Sequence, residues 1–114
     1  MNAFYVNALA HREAIIEVCN EYGISELDIF VLMMVHGNIR PMYVKDVVRV
    51  LGSVDGHKIV SLVERLWKVG WLQSPGHELQ LITKRLYGIS LSGIAVLDSY
   101  KYHFENIHKK LELG

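Results

Sequence analysis

The chain has little cysteine and proline and no net charge. Among its 114 residues there is a single cysteine, Cys19, and no intramolecular disulfide is possible. That agrees with a reducing compartment. No apolar run approaches the roughly 20 residues that a membrane helix needs, and the N-terminal residues lack the basic-then-apolar pattern of a signal peptide. A soluble, cytoplasmic protein with no membrane partner is the expectation. There is no Gly-rich phosphate loop, no nucleophile motif and no pair of helical carboxylates spaced for acid-base work, so an enzyme is not expected. No CxxC occurs, and none of the six histidines is paired at the i, i+4 spacing of two helical ligands. Neither metal nor cofactor is expected, although His36 and His103 are far enough apart in sequence to meet in space.

Net charge is also missing: twelve Lys and Arg balance twelve Asp and Glu. Phosphate neutralisation supplies much of DNA affinity, so this balance argues against a nucleic-acid partner unless the charges are segregated. They are. Residues 1–39 hold one Arg and five acids, a balance of −4, whereas residues 40–90 hold eight Lys and Arg and four acids, a balance of +4. The positive charge is concentrated on the segment that would be the reading head; segregation by chance in a short chain is the bland alternative.

What is present is apolar periodicity. A 51% hydrophobic content is ample for one domain with a real core. Val6, Leu9, Ala10, Ile15, Val18, Cys19 and Tyr22 recur at helical spacing and predict a first helix over 3–22, ended by Gly23. Ser25 and Asp28 have the spacing of a capping box, with Ile24 and Ile29 at the staple positions, and start a second helix that is apolar on nearly every side from Ile29 to Val35. Gly37, Asn38 and Pro41 break the chain. A short helix with Val44, Val47, Val48 and Leu51 facing inward follows, and Gly52 ends it. Asp55 and Ser53 are both good caps for the next helix, about 55–69, through Ile59, Leu62, Val63 and Leu66. Two helices joined by a short Gly-containing turn predict a helix-turn-helix over 42–69.

Gly70 stops that helix and turns it into a strand, Trp71-Leu72-Gln73. Pro75 and Gly76 break the strand, Leu86 to Ile89 return, and His77 to Arg85 is the candidate wing of a hairpin over 71–89. Ser90 caps a long last helix over 91–111. The expected fold is mainly α with a small β-hairpin, a winged helix-turn-helix in a single domain over 1–114.

Leu66 followed by Gly70-Trp71-Leu72, and Ile89-Ser90-Leu91-Ser92-Gly93 about twenty residues on, resemble the MarR family of winged-helix transcription regulators over most of the chain. In that family the wing closes on Leu-Thr-x-x-Gly; here Ile replaces Leu, and Ser keeps the capping hydroxyl. The family's wing carries an Asp-x-Arg pair shortly before this signature, its Arg entering the minor groove. The matching positions are Ile82 and Lys84, so the charge is kept and the orienting acid is absent. The chain is also shorter than most members.

The resemblance implies a homodimeric DNA-binding regulator, a repressor of a roughly palindromic duplex site. His57, Lys58 and Ser61, in the first turns of the recognition helix, are the expected base contacts. Arg65, Lys68, Lys45, Arg49, Lys84 and Arg85 are the expected phosphate contacts. A solvated polar face is the plainer account of the same residues. In such proteins the first and last helices of two subunits pack together, and the aromatic and apolar groups Tyr100, Tyr102, Phe104, Ile107 and Leu111 suit that role; the alternative is a last helix folded back on its own core. A small-molecule effector, unidentified, is expected between the dimer helices and the reading head. Trp67 and Trp71 are expected to pack the base of the wing. Cys19 sits among apolar positions without an adjacent cation, as expected of a buried inert thiol rather than a redox sensor. The rival function is a winged helix used as a protein-interaction module or adaptor subunit.

Overall fold

Five α-helices and one two-stranded antiparallel sheet follow each other in a computed structural model that describes residues 2–113: α1 Ala3–Tyr22, α2 Glu26–Gly37, α3 Val44–Val50, α4 Gly56–Lys68, β1 Leu72–Gln73, β2 Gly88–Ile89 and α5 Leu91–Leu113. A 3-10 turn, Ile82–Lys84, lies between the strands. No described helix is long and apolar enough to cross a membrane.

The helix boundaries follow from local chemistry. Gly23 leaves α1 in the left-handed conformation (φ 66°), its N–H returning to the Cys19 carbonyl. The capping box of α2 is complete: the Ser25 N–H donates to the Asp28 carboxylate at 2.9 Å and the Asp28 N–H to Ser25 Oγ at 3.3 Å. At the start of α3, Asp46 reaches back to the Tyr43 N–H at 3.0 Å. Asp55 caps α4 by accepting the His57 N–H at 2.8 Å. The third helix ends at Val50 with Leu51 as its C-cap, just before the expected Gly52.

The chain divides into two compact units. In the unit of residues up to 29 and from 95 on, Val6, Ala10, Ala14, Ile15, Val18, Ile29 and Val96 are buried. Polar side chains join α1 to α5 there: His11 Nδ1 to the Tyr100 hydroxyl at 2.6 Å, Asn7 to His108 at 2.8 Å, and Glu21 to Ser99 and His103 at 2.9 and 3.1 Å. The His103 ring and the Ser99 hydroxyl both hold the Glu21 carboxyl below its ordinary pKa. Three histidines thus have short-range polar partners that sequence spacing gave no sign of.

The unit of residues 30–94 contains the helix-turn-helix and the sheet. Val44 and Val47 of α3 and Ile59, Leu62, Val63 and Leu66 of α4 are buried, with Val48 and Leu51 half-buried. Leu72 pairs with Ile89 and Gln73 with Gly88. Met42 and Tyr87 add a two-way bridge, 2.9 and 2.8 Å, that extends the sheet by one residue on a third segment. The paired strands are shorter than the expected 71–73 and 86–89, and residues 74–86 between them form turns and the 3-10 segment.

Candidate nucleic-acid interface

The amphipathic pattern of α4 decides which side chains face outward. With Ile59, Leu62, Val63 and Leu66 buried, the positions between them fall on the opposite face, and His57, Lys58, Ser61, Arg65 and Lys68 are all exposed there. Lys68 keeps 64% of its side chain exposed while pairing with Glu64 at 3.0 Å, one helical turn back. On α3, Lys45 and Arg49 are exposed; Lys45 stands 5.3 Å from the Tyr43 ring centre and Arg49 pairs with Asp46 at 3.0 Å. Exposed ion pairs of this kind contribute little to stability, and their cations exchange readily for another anion.

Lys84 is exposed on the 3-10 turn, and Ile82 is half-buried beside it. The Ile82 carbonyl accepts the Tyr87 hydroxyl at 2.9 Å. Burial pushes the Tyr87 phenol up from its ordinary pKa, with the nearby Arg85 charge opposing.

Arg85 corrects the expectation from sequence. It is only 7% exposed, its guanidinium lies 4.1 Å from the Trp67 ring centre, and it donates from Nε to the Gln80 carbonyl at 2.8 Å and from Nη2 to the Glu78 carbonyl at 2.7 Å. The side chain is therefore committed to the wing's own backbone and is not presented to a phosphate. A desolvated cation over an indole is worth about 2 kcal/mol, and each charge-assisted bond to a carbonyl adds roughly 1.5–3 kcal/mol. Ser74, also buried, closes the other side by donating to the Leu86 carbonyl at 2.7 Å. A signal for Arg85 was present in the sequence. Residues two apart in an extended segment share a face, and Arg85 is two from the aromatic Tyr87 rather than from a charged residue.

Two clefts flank these elements. One, of about 460 Å³, is lined by Val44, Lys45, Val48, Gly56, His57, Val60 and Thr83. The other, about 330 Å³, is lined by Tyr43, Lys45, Gln80, Thr83 and Lys84. Lys45 and Thr83 belong to both, so the start of α3, the start of α4 and the wing form one continuous surface. Among the described residues no group of three His, Cys, Asp or Glu side chains is placed to hold a metal ion.

Elsewhere, Cys19 is half-buried, and burial, then the charges of Glu26 and Asp28, push its thiol up from the ordinary value. That disfavours the reactive thiolate.

The sequence matches no protein-family model and no curated protein. Its fold is nonetheless shared with solved structures. A transcriptional regulator of the MarR family from Rhodococcus sp. RHA1 is similar with a TM-score of 0.65 at 19% identity, over 96% of this chain and 76% of the other. A MarR family protein of Mycobacterium tuberculosis is similar in its complex with p-aminosalicylic acid, with a TM-score of 0.62 at 14% identity over 96% and 80% of the two chains. The same protein in complex with salicylic acid gives 0.60 at 13% identity over 94% and 76%. The fold is that of MarR-type winged-helix regulators.

Proposed function

We propose that this protein is a homodimeric, cytoplasmic transcriptional regulator that binds a roughly palindromic duplex with α4 and represses by occluding a promoter. The observation that carries this is the exposed face of α4, where His57, Lys58, Ser61, Arg65 and Lys68 stand opposite a fully buried apolar stripe on a fold shared with regulators. His57, Lys58 and Ser61 meet base edges, because the first turns of such a helix enter the major groove. Arg65, Lys68, Lys45, Arg49 and Lys84 meet phosphates. Arg85 is left out of that set by its burial.

The two units act together as one winged-helix domain. Dimerisation falls to α1 and α5, whose ends carry apolar side chains that a monomer leaves in water, among them Phe4 at 88% and Leu113 at 82% exposure. Two copies of α4 then reach half-sites about one helical turn apart.

The larger cleft, apolar through Val44, Val48 and Val60 and cationic at Lys45, suits a small aromatic acid as effector. One structurally similar MarR family protein is seen in complexes with p-aminosalicylic acid and with salicylic acid. Such a ligand would sit within the reading head itself.

Selection of bound sequences from a random duplex pool tests the function and the half-site spacing together. The expected result is an enriched inverted repeat whose affinity falls steeply with salt. A folded dimer that binds no duplex, or binds without salt dependence, overturns this function and favours the adaptor. Salicylate added to the selected complex checks the effector: release of the duplex supports it, and no release together with no binding to the free protein rejects it.

A further inference from the structure

The wing has little pairing of its own to hold it. Its strands pair over two residues each, and residues 74–86 between them form turns and a 3-10 segment. A ladder that short fixes neither the direction nor the distance at which the loop stands from α4. Lys84 lies in that loop, so contacts outside the ladder must place it.

Arg85 makes those contacts. Trp67 is the residue before the last of α4, and the Arg85 guanidinium lies 4.1 Å from its ring centre. The same group holds the Gln80 carbonyl from Nε and the Glu78 carbonyl from Nη2. One side chain thus ties the middle of the loop to the recognition helix. The Arg85 backbone is extended (φ −86°, ψ 148°) directly after the 3-10 turn. Neighbouring side chains leave an extended segment on opposite sides, so turning Arg85 inward turns Lys84 outward. Arg85 is buried and Lys84 is exposed. Lys84 then lines one cleft with Lys45 of α3, which puts cations from two elements at one edge.

No carboxylate among the described residues pairs with Arg85, although a cation buried so deeply ordinarily has an acid for partner. It has instead a flat face against an indole and a fork across two carbonyls. A guanidinium offers both, whereas a lysine ammonium is a point charge.

We propose that Arg85 is a positioning residue for DNA binding: stacked on Trp67 and gripping the loop, it fixes the wing to α4 so that Lys84 meets the same phosphate backbone as Lys45. This inference rests on the DNA-binding function above. Arg85 then sets the salt dependence of binding without touching a phosphate.

The test uses the full chain and the tightest duplex from the random-pool selection, with affinity followed across a salt series. Lys84→Ala is expected to lower the salt slope by about 1, the loss of one phosphate contact. Arg85→Met should lower it by about as much, and adding Lys84→Ala to Arg85→Met should lower it no further. Arg85→Lys keeps the charge but not the fork, and should behave as Arg85→Met does. Trp67→Leu removes no charge and should still lower the slope by about 1. Trp67→Phe keeps an aromatic face and should recover most of that loss. Circular dichroism sets conditions in which each variant is folded; if Trp67→Leu does not fold, Arg85→Lys carries the same comparison.

Additive slope losses from Arg85→Met and Lys84→Ala, with Arg85→Lys restoring the native slope, make Arg85 a phosphate contact in its own right and overturn the positioning role. An unchanged slope in either Lys84→Ala or Arg85→Met, with Lys58→Ala still weakening binding, also overturns it and leaves the regulator standing. No duplex binding by the native protein overturns both.

Discussion

The Ser90 hydroxyl donates to the Gly70 carbonyl, twenty residues away in the chain, and accepts the Gly93 N–H at 3.1 Å. One side chain therefore joins the point where the chain leaves α4 to the first turn of α5. The Ser90 N–H adds a bond to the Trp71 carbonyl at 3.0 Å. Gly70, with φ 87°, makes the sharp exit that brings those carbonyls within reach. Removing the hydroxyl with Ser90→Ala loses a helix cap and a carbonyl partner, and is expected to cost about 1–2 kcal/mol in urea unfolding. Ser90→Thr keeps both bonds and should recover most of the loss.

Gly93 is required for a separate reason. A Cβ built on it would lie 2.2 Å from the Trp71 carbonyl oxygen and 2.7 Å from Ile89, so the first turn of α5 rests directly on backbone. Gly93→Ala must push the helix off that strand. Roughly 1–3 kcal/mol or more of destabilisation follows, measured by chemical denaturation. An alanine variant as stable as the native chain would contradict this close approach.

Burial raises the pKa of Tyr87, of Tyr100 and of Cys19. All three are neutral when protonated, so their contribution is fully present below the unfolded-state values and is lost as pH rises through the higher folded values. Stability should hold at neutral pH and fall above about pH 9–10, where the unfolded chain ionises first. Denaturation followed over that range, with phenolate absorbance as the ionisation signal, checks the sign. Tyr87→Phe should flatten the decline while losing the bond to the Ile82 carbonyl.

Cys19 should react slowly with a thiol reagent at neutral pH, and slower than a free peptide cysteine by more than partial burial alone explains. Glu26→Gln should speed the reaction, because it removes a charge that disfavours the thiolate. A Cys19 as reactive as free cysteine would reopen redox sensing.

Ion pairing predicts an order among the cationic DNA-contact candidates. Lys68 and Arg49 are held by Glu64 and Asp46, whereas Lys58 is exposed with no such acid shown against it. Lys58→Ala should therefore weaken duplex binding more than Lys68→Ala. Glu64→Gln should strengthen it severalfold at low salt, by releasing Lys68 and removing a like charge from the duplex. Binding across a salt series gives both comparisons.

The helices were legible because each has a local signature. Ser25 with Asp28, Asp55 and Ser90 all cap as their spacing implies, and the stripe of Ile59, Leu62, Val63 and Leu66 fixed which face of α4 is outward. The wing was not legible in the same way. Its paired strands are two residues each, too short for a period to show, and its shape comes from Arg85 reaching back to Trp67. In sequence, Lys84 and Arg85 look like one basic pair. In the fold one points to solvent and the other is enclosed.

A wing shaped by one guanidinium has a consequence for how such a protein diversifies. A hairpin ladder constrains every residue along it through register, so a change of length at its tip is felt down both strands. Within the wing loop the Arg85 clamp grips main-chain carbonyls, which every amino acid possesses. Residues 79 and 81 can therefore be exchanged for others with no change to the frame beneath them.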